Sequence, residues 1–343
     1  MPTVNREEFL GILQSVSPGL SQRETIEQSN CFIFRDGKVR TFNEEVHCSR
    51  AVPFTFTAAV PAPPLMALLS QLSEESVDVN YTEGELLLTG RRCKAGIRSD
   101  AEIALPLDHI EEPGKWRPLV DGFAETIGMC QQYVGKDATK YYLTCVHIHP
   151  DWIEASDEIQ IIRFKMKTGV TEECLLNRDS VKYIMDTGAR KFSETPSWFH
   201  LKNAAGLVLS CRRYLLDYPT DEITKYLKTT GRPVALPKGL KEAAARASVF
   251  SKDNADSNQV MVDLKPGKVR IKGVGVAGWY QENAKVQYQD EPLSFLISPD
   301  ILMDVITSHT DVLVGDGLLR VDKGNFQYCS CLGVDEESQE TEQ

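Results

Sequence analysis

Apolar positions in this chain recur with two periods, near 3.6 and 2, and the order of the periods repeats. Behind Pro299, a residue suited to a first helical turn, Leu302, Val305 and Ile306 form one stripe. Residues 312–314 and 318–321 then read as strands split by Gly315-Asp316-Gly317, and 326–331 follows a second turn at Lys323-Gly324. Upstream, Leu65, Leu68, Leu69 and Leu72 make a helical stripe before strands 77–81 and 86–89. In the middle third a helix near 179–190 precedes strands 198–202 and 207–214. The copies lie roughly 115 to 120 residues apart, the size of one domain. The expectation is therefore three similar α+β domains, each with two helices and antiparallel sheets.

The remaining elements fit that frame. Residues 6–16 predict a helix with Phe9, Ile12, Leu13 and Val16 inward, capped by Asn5 or Thr3. Strands 30–35 and 38–42 flank Asp36-Gly37, a strong hairpin signal, and further alternating runs occupy 45–54 and 55–60. Phe123, Ala124 and Ile127 share a helix face with Val120, and strands are expected at 141–149, 152–156 and 159–167. A helix over 240–250 leads to strands at 260–264 and 268–272 and a pair near 277–288. Residues 108–115 and 227–237 read as linkers. Domain bounds follow at 1–110, 116–230 and 236–333, with an acidic, solvated tail at 334–343.

Composition narrows the class. Nothing approaches 18 consecutive apolar residues, and the start, MPTVNREEF, has acids where a signal peptide needs bases, so a cytoplasmic protein without membrane contact is expected. Nine cysteines, irregularly spaced, read as reduced thiols. The net charge is −11, five units of it from Asp335, Glu336, Glu337, Glu340 and Glu342 in the tail.

Catalytic chemistry finds little support. Strand alternation puts Cys145, His147 and His149 on one face, a conceivable metal trio or nucleophile and base, and Cys329 and Cys331 form a Cys-x-Cys. No Cys-x-x-Cys or His-Glu-x-x-His accompanies them, and residues 273–279, GVGVAGW, lack the Lys-Ser/Thr of a phosphate-binding loop. The expectation is no catalysis, no metal and no cofactor; a β-rich hydrolase or nuclease built on the Cys/His cluster is the alternative.

The order of elements and several stretches of text resemble the bacterial-type sliding clamp, the processivity ring of replicative DNA polymerases. Lys140-Tyr141-Tyr142-Leu143 is similar to an Arg-Tyr-Tyr-Leu strand of that family, and residues 155–161, ASDEIQI, to its Ala-Thr-Asp-Gly-His-Arg-Leu turn. DYPTDEITKYL at 217–227 is similar to the Phe-Pro-Asp-Tyr segment that ends the second domain, and KEAAARASVFSKDN to an Ala-Arg-Ala-Ala-Ile-Leu-Ser helix of the third. LPLDHIEEPGKW at 105–116 resembles the first linker, so the similarity spans all but the tail.

The resemblance implies a head-to-tail homodimeric ring around double-stranded DNA that tethers a DNA polymerase, with a clamp loader as a further partner. Helices facing the hole should meet phosphates without reading bases. The candidates are Arg6, Arg23, Arg178, Lys182, Arg190, Lys191, Lys238, Lys241 and Lys252, although amphipathic helices put charge outward in any case. The implied partner-peptide groove comprises Lys140, Leu143, Ser156, Ile161, Pro219, Ile223, Cys329, Cys331 and Leu332, each of which also reads as ordinary core. Ring closure is implied between Arg91, Arg92 and Lys94 on one side and Glu282 on the other. Ile159-Gln160 stands where the family has His-Arg, and the chain runs past Leu332, which suits a dedicated partner set such as a phage-encoded clamp needs. A clamp fold used as a scaffold without DNA retention is a further alternative.

Overall fold

The computed structural model describes residues 2–82, 84–252 and 258–333. They fall into two compact units, Met1–Ile153 with Met166–Asp217, and Glu154–Lys165 with Tyr218–Gln343. The acidic tail lies outside the described residues. Among the described residues seven α-helices organise the two units: α1 (Arg6–Val16), α2 (Ala62–Gln71), α3 (Phe123–Cys130), α4 (Arg178–Thr187), α5 (Thr220–Lys228), α6 (Leu240–Ser251) and α7 (Pro299–Ser308). Six of them pack in pairs, α1 on α2 and α3 on α4 in the first unit, α6 on α7 in the second.

Local chemistry sets these elements. The Asn5 side chain accepts from the backbone N–H groups of Glu7 and Glu8, both at 3.0 Å, which satisfies two orphan donors at the start of α1. Phe9, Ile12, Leu13 and Val16 are buried, as their spacing requires. Asp36 and Gly37 both have positive φ, the geometry of a two-residue hairpin turn between Cys31–Arg35 and Lys38–Phe42. Asp316 and Gly317 do the same between Asp311–Gly315 and Leu318–Lys323. Helix α6 is seated closely on its sheet because it presents Ala243, Ala244 and Ala247. A Cβ at Gly273 would lie 2.1 Å from the Ala247 carbonyl oxygen, so only glycine lets that strand pass.

The first unit holds two antiparallel sheets. One runs Thr3–Asn5, Ser76–Thr82, Glu85–Thr89, Lys94–Arg98, with Lys94–Arg98 at an edge. The other contains the sequence of neighbours Cys145–His149, Cys174–Asn177, Val208–Tyr214, Val46–Ala51, Lys38–Phe42, Cys31–Arg35, Ala58–Pro61, and Trp198–Asn203 also pairs with Val208–Tyr214. In the second unit Arg232–Ala235, Asp311–Gly315, Leu318–Lys323, Phe326–Cys331 and Gln160–Lys165 pair in that order. Its second sheet runs Gly278–Lys285, Lys268–Gly275, Val260–Lys265, Leu293–Ile297.

Several sequence expectations are corrected. Residues 138–144 form 3-10 turns rather than the start of a strand, because the Asp137 carboxylate caps Thr139 N–H at 2.9 Å and the Tyr141 ring packs edge-on against Tyr214, 5.0 Å away. Lys140 and Leu143 therefore do not lie on a strand. Gly188, left-handed at φ +60°, ends α4 early, so Arg190 and Lys191 belong to the strand Ala189–Glu194 and not to the helix. Helix α5 occupies a stretch not expected to be helical, although its signals are local: Ile223 and Leu227 stand four apart, with Asp221 and Glu222 in the first turn and Lys225 and Lys228 in the last. The expected linker at 227–237 consequently begins in a helix and contains the strand Arg232–Ala235. The expected pair near 277–288 is one strand, Gly278–Lys285, and the fourth strand of that sheet is Leu293–Ile297.

Candidate nucleic-acid and partner surfaces

The cationic candidates divide by what they touch. Arg6 is turned inward: its Nη1 donates to the Leu69 carbonyl in the last turn of α2 at 3.0 Å and its Nε to the Glu74 carbonyl in the loop that follows at 3.1 Å. Arg23 and Lys182 come together in the first unit, lining one cleft with Gln22, Asn43, Glu45 and Tyr183. Lys182 lies over the Tyr183 ring, 4.8 Å from its centroid, and reaches Asp179 only at 4.0 Å. At the floor of this cleft the Glu45 carboxylate accepts from the Tyr214 hydroxyl at 2.5 Å, and burial raises its pKa. Arg178 is half-buried at the start of α4, and Arg190 and Lys191 are exposed on their strand. In the second unit Lys238, Lys241 and Lys252 are exposed around α6. Arg246 on the same helix, absent from the candidates above, donates to Glu282 at 2.5 Å and to the Tyr280 hydroxyl at 2.7 Å.

The groove candidates are only partly assembled in one place. Ile161, Ile223 and Cys329 form a cluster in the second unit together with Leu227 and Leu318, and Tyr218 packs against it. Register explains the contact: Ile161 stands opposite Cys329, and Cys329 opposite Arg320, on the sheet face that α5 crosses. Two arginines hold the helix there. Arg163 donates to Glu154 from Nε at 2.7 Å and to Thr224 on α5 from Nη1 at 3.1 Å, while Arg320 bonds the Thr229 carbonyl. Ser156 is buried and its hydroxyl accepts from Glu158 N–H at 3.3 Å. Pro219 precedes α5, Cys331 is exposed, and the Leu332 N–H donates to the Gly317 carbonyl at 2.7 Å. Lys140 and Leu143 belong to the other unit. Leu227 and Leu318 were missed because their partners come from segments far apart in sequence.

Two sheet edges stand out. Lys94 begins the edge strand Lys94–Arg98, and Arg91 and Arg92 are exposed in the turn before it. Glu282 is on the edge strand Gly278–Lys285, whose Trp279 is 66% exposed beside the turn residue Val276 at 92%, with Val249 of α6 at 64%. An edge with exposed apolar side chains is a template for pairing.

The Cys/His face is engaged in packing. Burial pushes the Cys145 thiol up to about 12, far from a nucleophile's range. His147 Nε2 meets Glu173 at 3.2 Å, and the His149 ring stacks on Trp152 at 3.6 Å. Among the described residues no three His, Cys, Asp or Glu side chains are placed to hold a metal ion.

No family model and no curated protein matches the sequence. Among solved structures the chain is similar to a DNA polymerase sliding clamp from Pseudomonas aeruginosa, with a TM-score of 0.81 and 15% identity, covering 97% of this chain and 99% of that one. The DNA polymerase III beta subunit of Thermotoga maritima gives 0.76 and 16%, and the beta chain of Streptococcus pneumoniae 0.82 and 13%, both with the same coverage. The α+β fold of this chain is that of bacterial sliding clamps.

Proposed function

We propose that the chain is a subunit of a non-enzymatic DNA sliding clamp, a processivity factor that encircles duplex DNA and tethers a replicative DNA polymerase in the cytoplasm. The carrying observation is the structural match over nearly the full length of both chains. Three packed helix pairs support a division into similar domains at 1–110, 116–230 and 236–333. Two such subunits close a six-domain ring.

Each functional surface then has a role. Arg23, Arg178, Lys182, Lys238, Lys241 and Lys252 meet DNA phosphates as mobile point charges, without base readout. Their sparseness suits sliding, because a dense basic lining would grip. The edges at Lys94–Arg98 and Gly278–Lys285 join between subunits, with Trp279, Val276 and Val249 supplying apolar contact. Glu282 already has Arg246 as a partner, so charge pairing with Arg91, Arg92 and Lys94 contributes less than that contact. The face at Ile161, Ile223, Leu227, Leu318 and Cys329 takes the aliphatic or aromatic anchor of a short peptide on the polymerase or the clamp loader.

Sedimentation and DNA retention test this together. Two chains of 38.4 kDa each should sediment as one particle that stays with closed circular DNA and leaves when the circle is cut. A protein still monomeric at high micromolar concentration, or one whose retention ignores the cut, overturns the reading.

A further inference from the structure

One sheet face in the first unit carries a polar layer that DNA tethering does not use. Lys38–Phe42, Val46–Ala51, Val208–Tyr214 and Trp198–Asn203 lie side by side in that order. Register sets His47 opposite both Phe42 and Ser210, and Ser210 opposite His200. Two residues along, Ser49 stands opposite Arg40 and Val208. Alternation keeps these side chains on one face, with Lys38 further along its strand. The reverse face is the apolar core of Val39, Cys48, Leu209 and Leu201.

The outer face of an antiparallel sheet is ordinarily polar because water covers it. Water does not cover this one: His200 and Ser210 are each 1% exposed, and His47 and Ser49 each 8%. The connecting segment 107–113 crosses above them. Leu107 and Ile110 pack with Phe42 and Trp198, and the Glu111 carboxylate accepts from Ser197 N–H and from its hydroxyl, both at 3.1 Å. Beneath the strap lies a small cleft of about 60 Å³, lined by Lys38, Arg40, His47, Ser49, His200 and Ser210. Glu111 and Glu112 border it on the strap side.

The His200 ring is matched at both nitrogens, its Nε2 lying 3.3 Å from Thr195 Oγ1, so spare hydrogen-bonding capacity lies toward the Lys38–Arg40 end. Ser210 Oγ serves both imidazoles, 2.8 Å from His200 Nδ1 and 3.5 Å from His47 Nδ1. One hydroxyl has one proton to give, and the second distance is at the limit of a hydrogen bond. The Ser49 hydroxyl has no hydrogen-bond partner among the described residues, and the Lys38 ammonium pairs with no described carboxylate. Arg40 donates from Nη1 to the Arg35 carbonyl at 2.9 Å and has the exposed Asp36 carboxylate at 4.0 Å, which leaves its other donors for a ligand. None of the side-chain nitrogen or oxygen atoms of this layer is both buried and without a partner, so the unmatched Ser49 hydroxyl faces the cleft it lines, where a ligand can complete it. The charges are also sorted: Lys38 and Arg40 act on His47, whereas Glu111 acts on His200.

We propose that this cleft binds a small phosphate-type oxoanion at its Lys38–Arg40 end, with Ser49 and His47 completing the donor set. The two cations supply charge-assisted hydrogen bonds, and the neutral donors beneath give the directionality that a surface lysine lacks. Glu111 and Glu112 on the strap repel any anion, which favours the Lys38–Arg40 end over the His200 end, where Glu111 acts. This site is separate from the cleft of Arg23 and Lys182.

The test uses the full-length protein with labelled histidine and inorganic phosphate as the probe. The His47 and His200 ring resonances should shift saturably with phosphate, and the double variant Lys38→Gln, Ser49→Ala should weaken binding roughly tenfold or more. Lys265→Gln, in the other unit, should leave it unchanged. A nucleoside monophosphate and a dicarboxylate form separate arms: binding of the first at the same resonances extends the site to phosphate monoesters, and tighter binding of the dicarboxylate overturns the proposal. Lack of a saturable shift at tens of millimolar phosphate, or equal affinity in the double variant with its thermal unfolding unchanged, overturns it as well. If the double variant unfolds early, Lys38→Gln alone, at an exposed position, carries the same comparison.

Discussion

A connecting segment is laid over the outer face of a sheet in two places in this molecule, with opposite chemistry beneath it. In the second unit α5 sits on Ile161, Leu318 and Cys329, and its own Ile223 and Leu227 complete the cluster. Burial of apolar area drives that contact, and Arg163 and Arg320 fix its position at either side. In the first unit segment 107–113 lies over two imidazoles and two serine hydroxyls, and only its Leu107 and Ile110 end is seated on apolar side chains. An apolar strap can be stable by itself. A polar one is complete only when every donor and acceptor beneath it is matched, which is why the first marks a structural joint and the second a ligand site.

The largest expected effect comes from the charges that fix α5. Glu154 is fully buried and Arg163 nearly so, and Glu154→Ala leaves the guanidinium without its counter-charge at a cost of about 3–5 kcal/mol. Replacing both by apolar residues of similar volume should recover most of that loss. Denaturant titration followed by a probe in the second unit decides it. A neutral single variant would mean that the pair does not hold the helix in place.

Leu227→Ala comes next. Its side chain is 2% exposed, and its removal should cost about 2–4 kcal/mol in the same titration, through lost burial and the cavity left. Truncations beneath the polar strap, such as Ser49→Ala, should cost far less, because no hydrogen bond to a described residue is lost. Equal losses at the two sites would erase the contrast between them.

Acid gives the smallest and most specific effect. Burial, with Arg40 adding to it, holds His47 down to about 3, and burial holds His200 to about 4 against the pull of Glu111. The unfolded chain takes up these protons near the ordinary value of 6.5, so it gains protons on acidification before the folded chain does. Stability from these two groups is whole above 6.5 and drains away as the pH falls toward 4. His47→Gln should flatten that loss, seen as a smaller difference between unfolding midpoints at about pH 7 and about pH 4.5. An unchanged slope would mean that the imidazoles are not held neutral by the strap.

Much of the fold was legible because it is written locally. The stripe of α1, the Asn5 cap, the Asp36-Gly37 and Asp316-Gly317 turns and the stripes of α6 and α7 each depend on residues a few positions apart. The errors differ in cause. The 3-10 turns at 138–144 depend on Tyr214, far away in the chain, whereas the end of α4 at left-handed Gly188 and the four-residue spacing of Ile223 and Leu227 in α5 are local signals. The candidate surfaces were less legible. Arg6 reads as a free cation until the carbonyls of Leu69 and Glu74 are seen around it, and Glu282 as a free acid until Arg246 is. The histidine layer left no signal: His47 and His200 are 153 positions apart and look like two ordinary strand residues.

By itself the sequence determined the periodicity, the threefold recurrence of helix and strands, and with them the α+β architecture, because hydrophobic spacing and turn chemistry act over one or two turns of chain. Tertiary structure alone decided which charges are spent internally, which edges remain open, and which polar groups are buried together. Those depend on pairwise distances between segments remote in the chain, and neither composition nor period encodes such distances.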